Sequence, residues 1–190
     1  MSKLIPLAVA GLAILQLQGC APVVIGGAAV GASVATDRRT AGVYVGDQEI
    51  ELRAMARLRE SFPQKTDSIS ATSYNRQVLL TGQVPDETTR ARVTDVVRGI
   101  PDVRTVFNEL SVSGVTSLTS DANDVSITSK VKTRLLRDER VPGTKIKVVT
   151  ETAVVYLMGL VTQAEAEAAT EIARTTAGVT KVVTLFEYIN

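Results

Sequence analysis

Histidine and tryptophan are absent from the 190 residues, and there is a single cysteine. Without His there is no Ser-His-Asp triad, no Cys-His dyad and no His-bearing metal site. One Cys excludes an intramolecular disulfide framework and any C-x-x-C centre. Aromatic residues make up 4% of the chain, too few for a platform on which bases stack. Neither sign of charge dominates, with 21 Lys and Arg against 20 Asp and Glu. The chain as a whole therefore offers no field for a polyanion, and no nucleic-acid partner is expected. The sequence has no phosphate-loop and no EF-hand pattern. Carboxylate pairs such as Asp86-Glu87 and Glu165/Glu167 fit first helical turns, where negative charge meets the positive end of the helix dipole. No constellation supports an enzyme, and no metal or cofactor is implied. With 45% hydrophobic residues, the chain has enough apolar surface to fold, as one ordinary domain or two small ones.

What is present begins with an address. Met1-Ser2-Lys3 gives a short positive start, and Leu4 to Leu17 is mostly apolar. The stretch is short for a membrane span, which needs about 20 apolar residues, but it suits a secretory signal. The lone Cys20 follows Leu17-Gln18-Gly19. This resembles the lipobox of bacterial lipoproteins, in which the Cys is acylated on its thiol and becomes the first residue of the mature chain. Gln18 departs from the small residue usual there. Acylation would account for an unpaired thiol in an exported protein. The expectation is a signal peptide over residues 1–19 and a lipid (palmitate-type) anchor on Cys20. Ala21 stands where Asp would resemble an inner-membrane retention signal, so the outer membrane, on its periplasmic face, is the expected location. Residues 20–46, rich in Gly, Ala and Val and including the G-x-x-x-G of Gly27 and Gly31, read as lipidated Cys and flexible tether.

The remainder repeats itself. Asp47-Gln48-Glu49-Ile50 recurs as Asp124-Val125-Ser126-Ile127, and Leu58 recurs as Leu135. Val78-Leu79-Leu80-Thr81-Gly82-Gln83-Val84 recurs as Val155-Tyr156-Leu157-Met158-Gly159-Leu160-Val161. Each module opens with a helical apolar stripe at i, i+4, i+8: Ile50, Ala54, Leu58 and Ile127, Val131, Leu135. A strand pair follows, then a second helix, which in the second module starts at the capping box Thr162-Gln163-Ala164-Glu165. A last strand spans 103–112 or 179–189. The order is αββαβ. A right-handed crossover lays the third strand parallel to the second. The predicted fold is therefore α+β, with two tandem units, each a three-stranded mixed sheet carrying two helices on one face. The expected boundaries are 47–113 for the first domain, 114–120 for a linker and 121–190 for the second domain.

The pattern V-x-L-x-G-x-V, a helix, then [DG]-V-x-x-V resembles the BON domain family. It reads Val78 to Val84 with Asp102-Val103-Arg104-Thr105-Val106, and again Val155 to Val161 with Gly178-Val179-Thr180-Lys181-Val182. The likeness to two-domain outer-membrane lipoproteins of this family covers essentially the whole chain. It implies a non-enzymatic protein that binds anionic phospholipid through its second domain, supports envelope integrity and gathers at the division site. The alternative is a protein–protein adaptor for outer-membrane assembly machinery or division-site hydrolases, using edge strands and uncovered sheet faces.

The charges segregate between the modules. Residues 130–147 hold Lys130, Lys132, Arg134, Arg137, Arg140, Lys145 and Lys147 against Asp138 and Glu139. Leu136 lies nine positions after Ile127, half a turn away from the core stripe, whereas its twin in the first module is Arg59. An outward Leu in a basic collar is how a helix lies on an anionic bilayer. The expected phospholipid-binding set is Ser126, Ser129, Lys132, Thr133, Leu136 and Arg140, with Gly159 and Leu160 beside them. Ser126 stands where related proteins can carry an aromatic, so electrostatics would weigh more in this chain. A structural role for Gly82 and Gly159, inside strands, is favoured over ligand contact.

Overall fold

The computed structural model describes residues 37–63, 68–113 and 118–190, and residues 37–190 form one compact unit. Cys20, the signal peptide and the Gly27/Gly31 pair lie outside the described residues. The elements are α1 (Ala41–Ser61), β1 (Ile69–Tyr74), β2 (Gln77–Val84), α2 (Glu87–Arg98), β3 (Thr105–Asn108) and β4 (Ser111–Val112) in the first module. The second has α3 (Leu118–Arg137), β5 (Ile146–Glu151), β6 (Val154–Val161), α4 (Gln163–Arg174) and β7 (Lys181–Tyr188).

In each module the first two strands are antiparallel and the last runs parallel to the central one. Leu80 faces Asn108 and Gln83 faces Ser111, so β3 and β4 form a single lane interrupted at Glu109-Leu110. The two αββαβ units with mixed sheets are thus present.

Strand alternation divides the apolar residues between two faces. Val78, Leu80 and Val84 pack under α1 and α2 with Ile50, Ala54, Leu58, Val93 and Val97. Val155, Leu157 and Val161 do the same under α3 and α4 with Ile127, Val131, Leu135, Ala169 and Ile172. The opposite parity makes a third core: Tyr74 and Leu79 of the first module meet Tyr156 and Met158 of the second, flanked by Phe107, Leu160 and Leu185. The sheets therefore pack on each other by their helix-free faces. The expectation that those faces stay uncovered is corrected here. The signal was in the sequence, because Val78-Leu79-Leu80 and Val155-Tyr156-Leu157-Met158 are apolar on both parities, as in strands buried on both sides. Polar ties border this layer: Lys147 Nζ pairs with Glu51 at 2.6 Å and Arg104 with Glu187 at 2.7 Å, and the Tyr74 hydroxyl donates to the Lys145 carbonyl at 3.0 Å.

Asp47 and Asp124, the first residues of the repeat, have a shared task. Each hairpin turns through two residues with positive φ, Asn75-Arg76 and Thr152-Ala153, the geometry of a two-residue hairpin that matches strand twist. Asp47 accepts the Asn75 and Arg76 amides, both at 2.7 Å. Asp124 accepts those of Thr152 and Ala153, at 2.6 and 2.8 Å. Each opening helix thus holds its own hairpin by a buried carboxylate. These helices also begin earlier than expected. Thr40 caps α1 by accepting the Val43 amide, so Ala41 to Gly46, assigned to the tether, are helical, as is the end of the 114–120 linker from Leu118 onward.

Candidate functional site

The apolar stripe Ile127, Val131 and Leu135 is fully buried, which fixes the rotation of α3. Its outer face presents Ser126, Ser129, Lys132, Thr133 and Leu136, all exposed. Leu136 is 60% exposed. Val125 is also outward and 67% exposed, and it was missed from the sequence. The missed signal is spacing: eleven residues are about 20° more than three turns, so Val125 and Leu136 share one stripe, roughly 16 Å apart, with Ser129 and Lys132 between them.

The seven cations of 130–147 do not act together. Arg134 donates to the Ile172 carbonyl at 2.8 Å and to Thr176 and Thr175 hydroxyls, closing the C-terminal end of α4. Arg57, its twin, donates to the Gly99 carbonyl after α2 at 2.8 Å, so this arginine is a repeat-wide helix clasp. Arg140 pairs with Asp138 at 2.8 Å and with Glu171 at 3.5 Å; these partners raise its pKa and lower that of Asp138 to about 2. Lys147 is spent on Glu51 and the Ser73 carbonyl, and Lys145 is half-buried. Lys130, Lys132 and Arg137 remain exposed, with no ion pair or hydrogen bond to a described residue. Of these only Lys132 lies beside the Val125–Leu136 stripe; Lys130 and Arg137 sit roughly a third of a turn round the helix. Asp121 and Glu151 share a shallow hollow with Val125, so the face is narrower in charge than the sequence count suggests and wider in apolar surface.

Gly159 and Leu160 do not join this face. Gly159 is buried opposite Ile146 in β6, where an added Cβ would lie 3.2 Å from the Lys145 carbonyl. Leu160 packs in the layer between the sheets, and its carbonyl accepts from Arg38 at 2.8 Å. The outward Leu is also not confined to the second module. On α1, Leu52 is 73% and Val45 63% exposed. Their neighbours differ in degree: Glu49 and Arg53 pair with each other beside Leu52, leaving the exposed Arg59 two turns on as the cation of that face, while α3 carries Lys130, Lys132 and Arg137. Among the described residues no helix is long and apolar enough to cross a membrane.

Comparison with known proteins agrees with the doubled fold. The BON domain model matches residues 46–114 and 123–190. The chain is 40% identical over 179 residues to the outer membrane lipoprotein DolP of Haemophilus influenzae, covering 94% of this chain and 93% of that one. It is 32% identical to the 21 kDa hemolysin of Actinobacillus pleuropneumoniae (80% and 79% covered) and 30% identical to the osmotically-inducible protein Y of Escherichia coli (80% and 77%). The chain belongs to the BON domain family, as a dual-BON lipoprotein similar to DolP.

Proposed function

We propose that this protein is an outer-membrane lipoprotein, anchored through Cys20 on the periplasmic face, that binds anionic phospholipid with the outer face of α3. The observation that carries the proposal is a pair of outward aliphatic side chains, Val125 and Leu136, with Lys132 beside them and Lys130 and Arg137 on the adjoining side of the helix, three exposed cations in no ion pair with a described residue. Burying one such side chain in the acyl boundary gives about 1.5–3 kcal/mol, and each cation adds about 1 kcal/mol near an anionic surface. Ser126, Ser129 and Thr133 lie between them as headgroup partners. The sum is modest, and the Cys20 anchor compensates by holding the domain near the bilayer at high effective concentration. The family likeness supports a role in envelope integrity at the division site. An adaptor role would fall to the edge strands and the α1 surface, since the helix-free sheet faces cover each other.

Flotation of the 21–190 fragment tests this. It should float with vesicles containing phosphatidylglycerol, float less as salt rises, and stay unbound with zwitterionic vesicles. Leu136→Glu should abolish flotation with the fold intact, because the position is exposed; Arg59→Glu should not. Equal behaviour of the two variants would move the proposal to the adaptor.

A further inference from the structure

The residues just before α1 are bound more tightly to the rest of the molecule than a tether root needs. Arg38 reaches the second domain: its guanidinium makes a two-pronged pair with Glu165, at 2.6 and 2.7 Å, and donates to the Leu160 carbonyl at 2.8 Å. Arg39 turns the other way. It is almost fully buried and pairs with Asp37 and Asp47, both at 2.7 Å. Its guanidinium stacks over the Tyr74 ring at 4.0 Å and the Tyr44 ring at 4.9 Å. Burial opposes ionisation of Asp37, yet the hydrogen bonds from Arg39 prevail and lower its pKa. Two consecutive arginines thus tie one short segment to both domains.

The place of this tie decides what it does. Leu160 is the penultimate residue of β6, next to Gly159, which pairs with Ile146 at the start of β5. The turn preceding β5, Gly143–Lys145, lies against the last turn of α3: a Cβ on Gly143 would come 2.5 Å from the Leu135 carbonyl. The tether root is therefore held at the end of the second domain where α3 finishes with Leu136 and Arg137. Asp124 and the Thr152-Ala153 turn mark the far end. Cys20 lies seventeen positions before Asp37, a span of at most about 60 Å.

From this geometry we infer that Asp37–Thr40 is an orienting clasp. Arg38, held by Glu165, makes the anchored chain leave the molecule from the second domain, at the Leu136 end of α3, so the anchor presents α3 to the bilayer. Without the clasp, the chain would leave from the start of α1 alone, and either domain would face the membrane. Arg38 acts here as a positioning residue, and the inference rests on the proposed lipid-binding face.

The test uses the mature acylated chain in vesicles of phosphatidylethanolamine and phosphatidylglycerol, with Glu165→Gln. Glutamine keeps the capping box of α4 and removes the charge that holds Arg38. Trypsin should cut after Arg38 or Arg39 about tenfold faster in the variant, as expected for loss of a two-pronged charged pair, with cutting at Arg59 unchanged. A nitroxide on Glu139→Cys, beside the face but outside it, should sense the bilayer in the otherwise unaltered chain and lose about half of that contact with Glu165→Gln, as two orientations share the population. Unchanged trypsin cutting would overturn the clasp. Faster cutting with undiminished bilayer contact would overturn its orienting role. No contact in the unaltered chain would sink the lipid-binding face and the orienting role with it, while the trypsin rates would still judge the tie itself.

Discussion

Replacing Asp47 with Ala should cost the fold about twice what the same change costs at Asp124. The two residues are twins in the repeat and hold equivalent hairpins, but their surroundings differ. Asp47 is fully buried and accepts from the Asn75 and Arg76 amides, the Ser73 hydroxyl and Arg39. Asp124 accepts from two amides. A hydrogen bond to a charged group contributes about 1.5–3 kcal/mol, and an orphaned buried donor costs about 1–3 kcal/mol. Some amides would recover water once the turn opens, and Arg39 keeps Asp37, so the loss at Asp47 should settle near 4 kcal/mol, against about 2 kcal/mol at Asp124. For a unit of this size, 1 kcal/mol moves the midpoint by about 2–4 °C. Thermal unfolding followed by circular dichroism on the 21–190 fragment should then show Tm falling by about 12 °C for Asp47→Ala and about 6 °C for Asp124→Ala. Equal losses, or a larger one at Asp124, would refute the claim that the Arg39 arrangement reinforces the first hairpin.

Gly82 has φ +111°, and a Cβ there would sit 1.9 Å from the Ser68 carbonyl, so Gly82→Ala should destabilise by about 3 kcal/mol or more. Its twin Gly159 lies outside the left-handed region and would meet Lys145 at 3.2 Å, so Gly159→Ala should cost under about 1.5 kcal/mol; urea midpoints of the two variants compare them directly. The Arg38 hydrogen bonds lower the Glu165 pKa to about 2 from its ordinary 4.5. Because the folded value is depressed, the clasp's contribution is full above the ordinary value and fades as pH falls through 4.5 towards 2. Carbon-detected NMR titration should place the Glu165 midpoint near 2, and Arg38→Gln should return it to the usual carboxylate range; a midpoint that Arg38→Gln leaves unmoved would remove Arg38 as the cause.

The αββαβ order and most of the core could be read from the sequence because they rest on periodicity. Ile127, Val131 and Leu135 fall on one helical face whatever surrounds them, and the recurrence of Asp47 to Ile50 and Val78 to Val84 as Asp124 to Ile127 and Val155 to Val161 put both modules into one plan. Cap chemistry was equally local: Thr162 and Glu165 form the expected capping box. The sheet-on-sheet layer escaped because it depends on the second parity of β2 and β6, which a half-buried strand would fill with polar residues. Charge was harder still. Counting cations over 130–147 treats Arg134 and Arg140 alike with Lys132, yet the first closes a helix end and the second is paired with Asp138 and Glu171. Partners 30 or 40 residues away decide which charges are free, and no local pattern reports them. Gly159 and Leu160, expected beside the helix face, lie within β6, and strand alternation sends Leu160 to the opposite side of the sheet.

The most direct measurement of the lipid-binding account is paramagnetic broadening of backbone amides by spin-labelled lipid in phosphatidylglycerol-containing nanodiscs, recorded on the 21–190 fragment. Broadening should peak along α3 at Val125, Ser129, Lys132 and Leu136, fall away at Gly159 and Leu160, and be weak on α1 around Leu52 and Arg59. Peak broadening on α1, or a pattern that does not follow the α3 stripe, would contradict it.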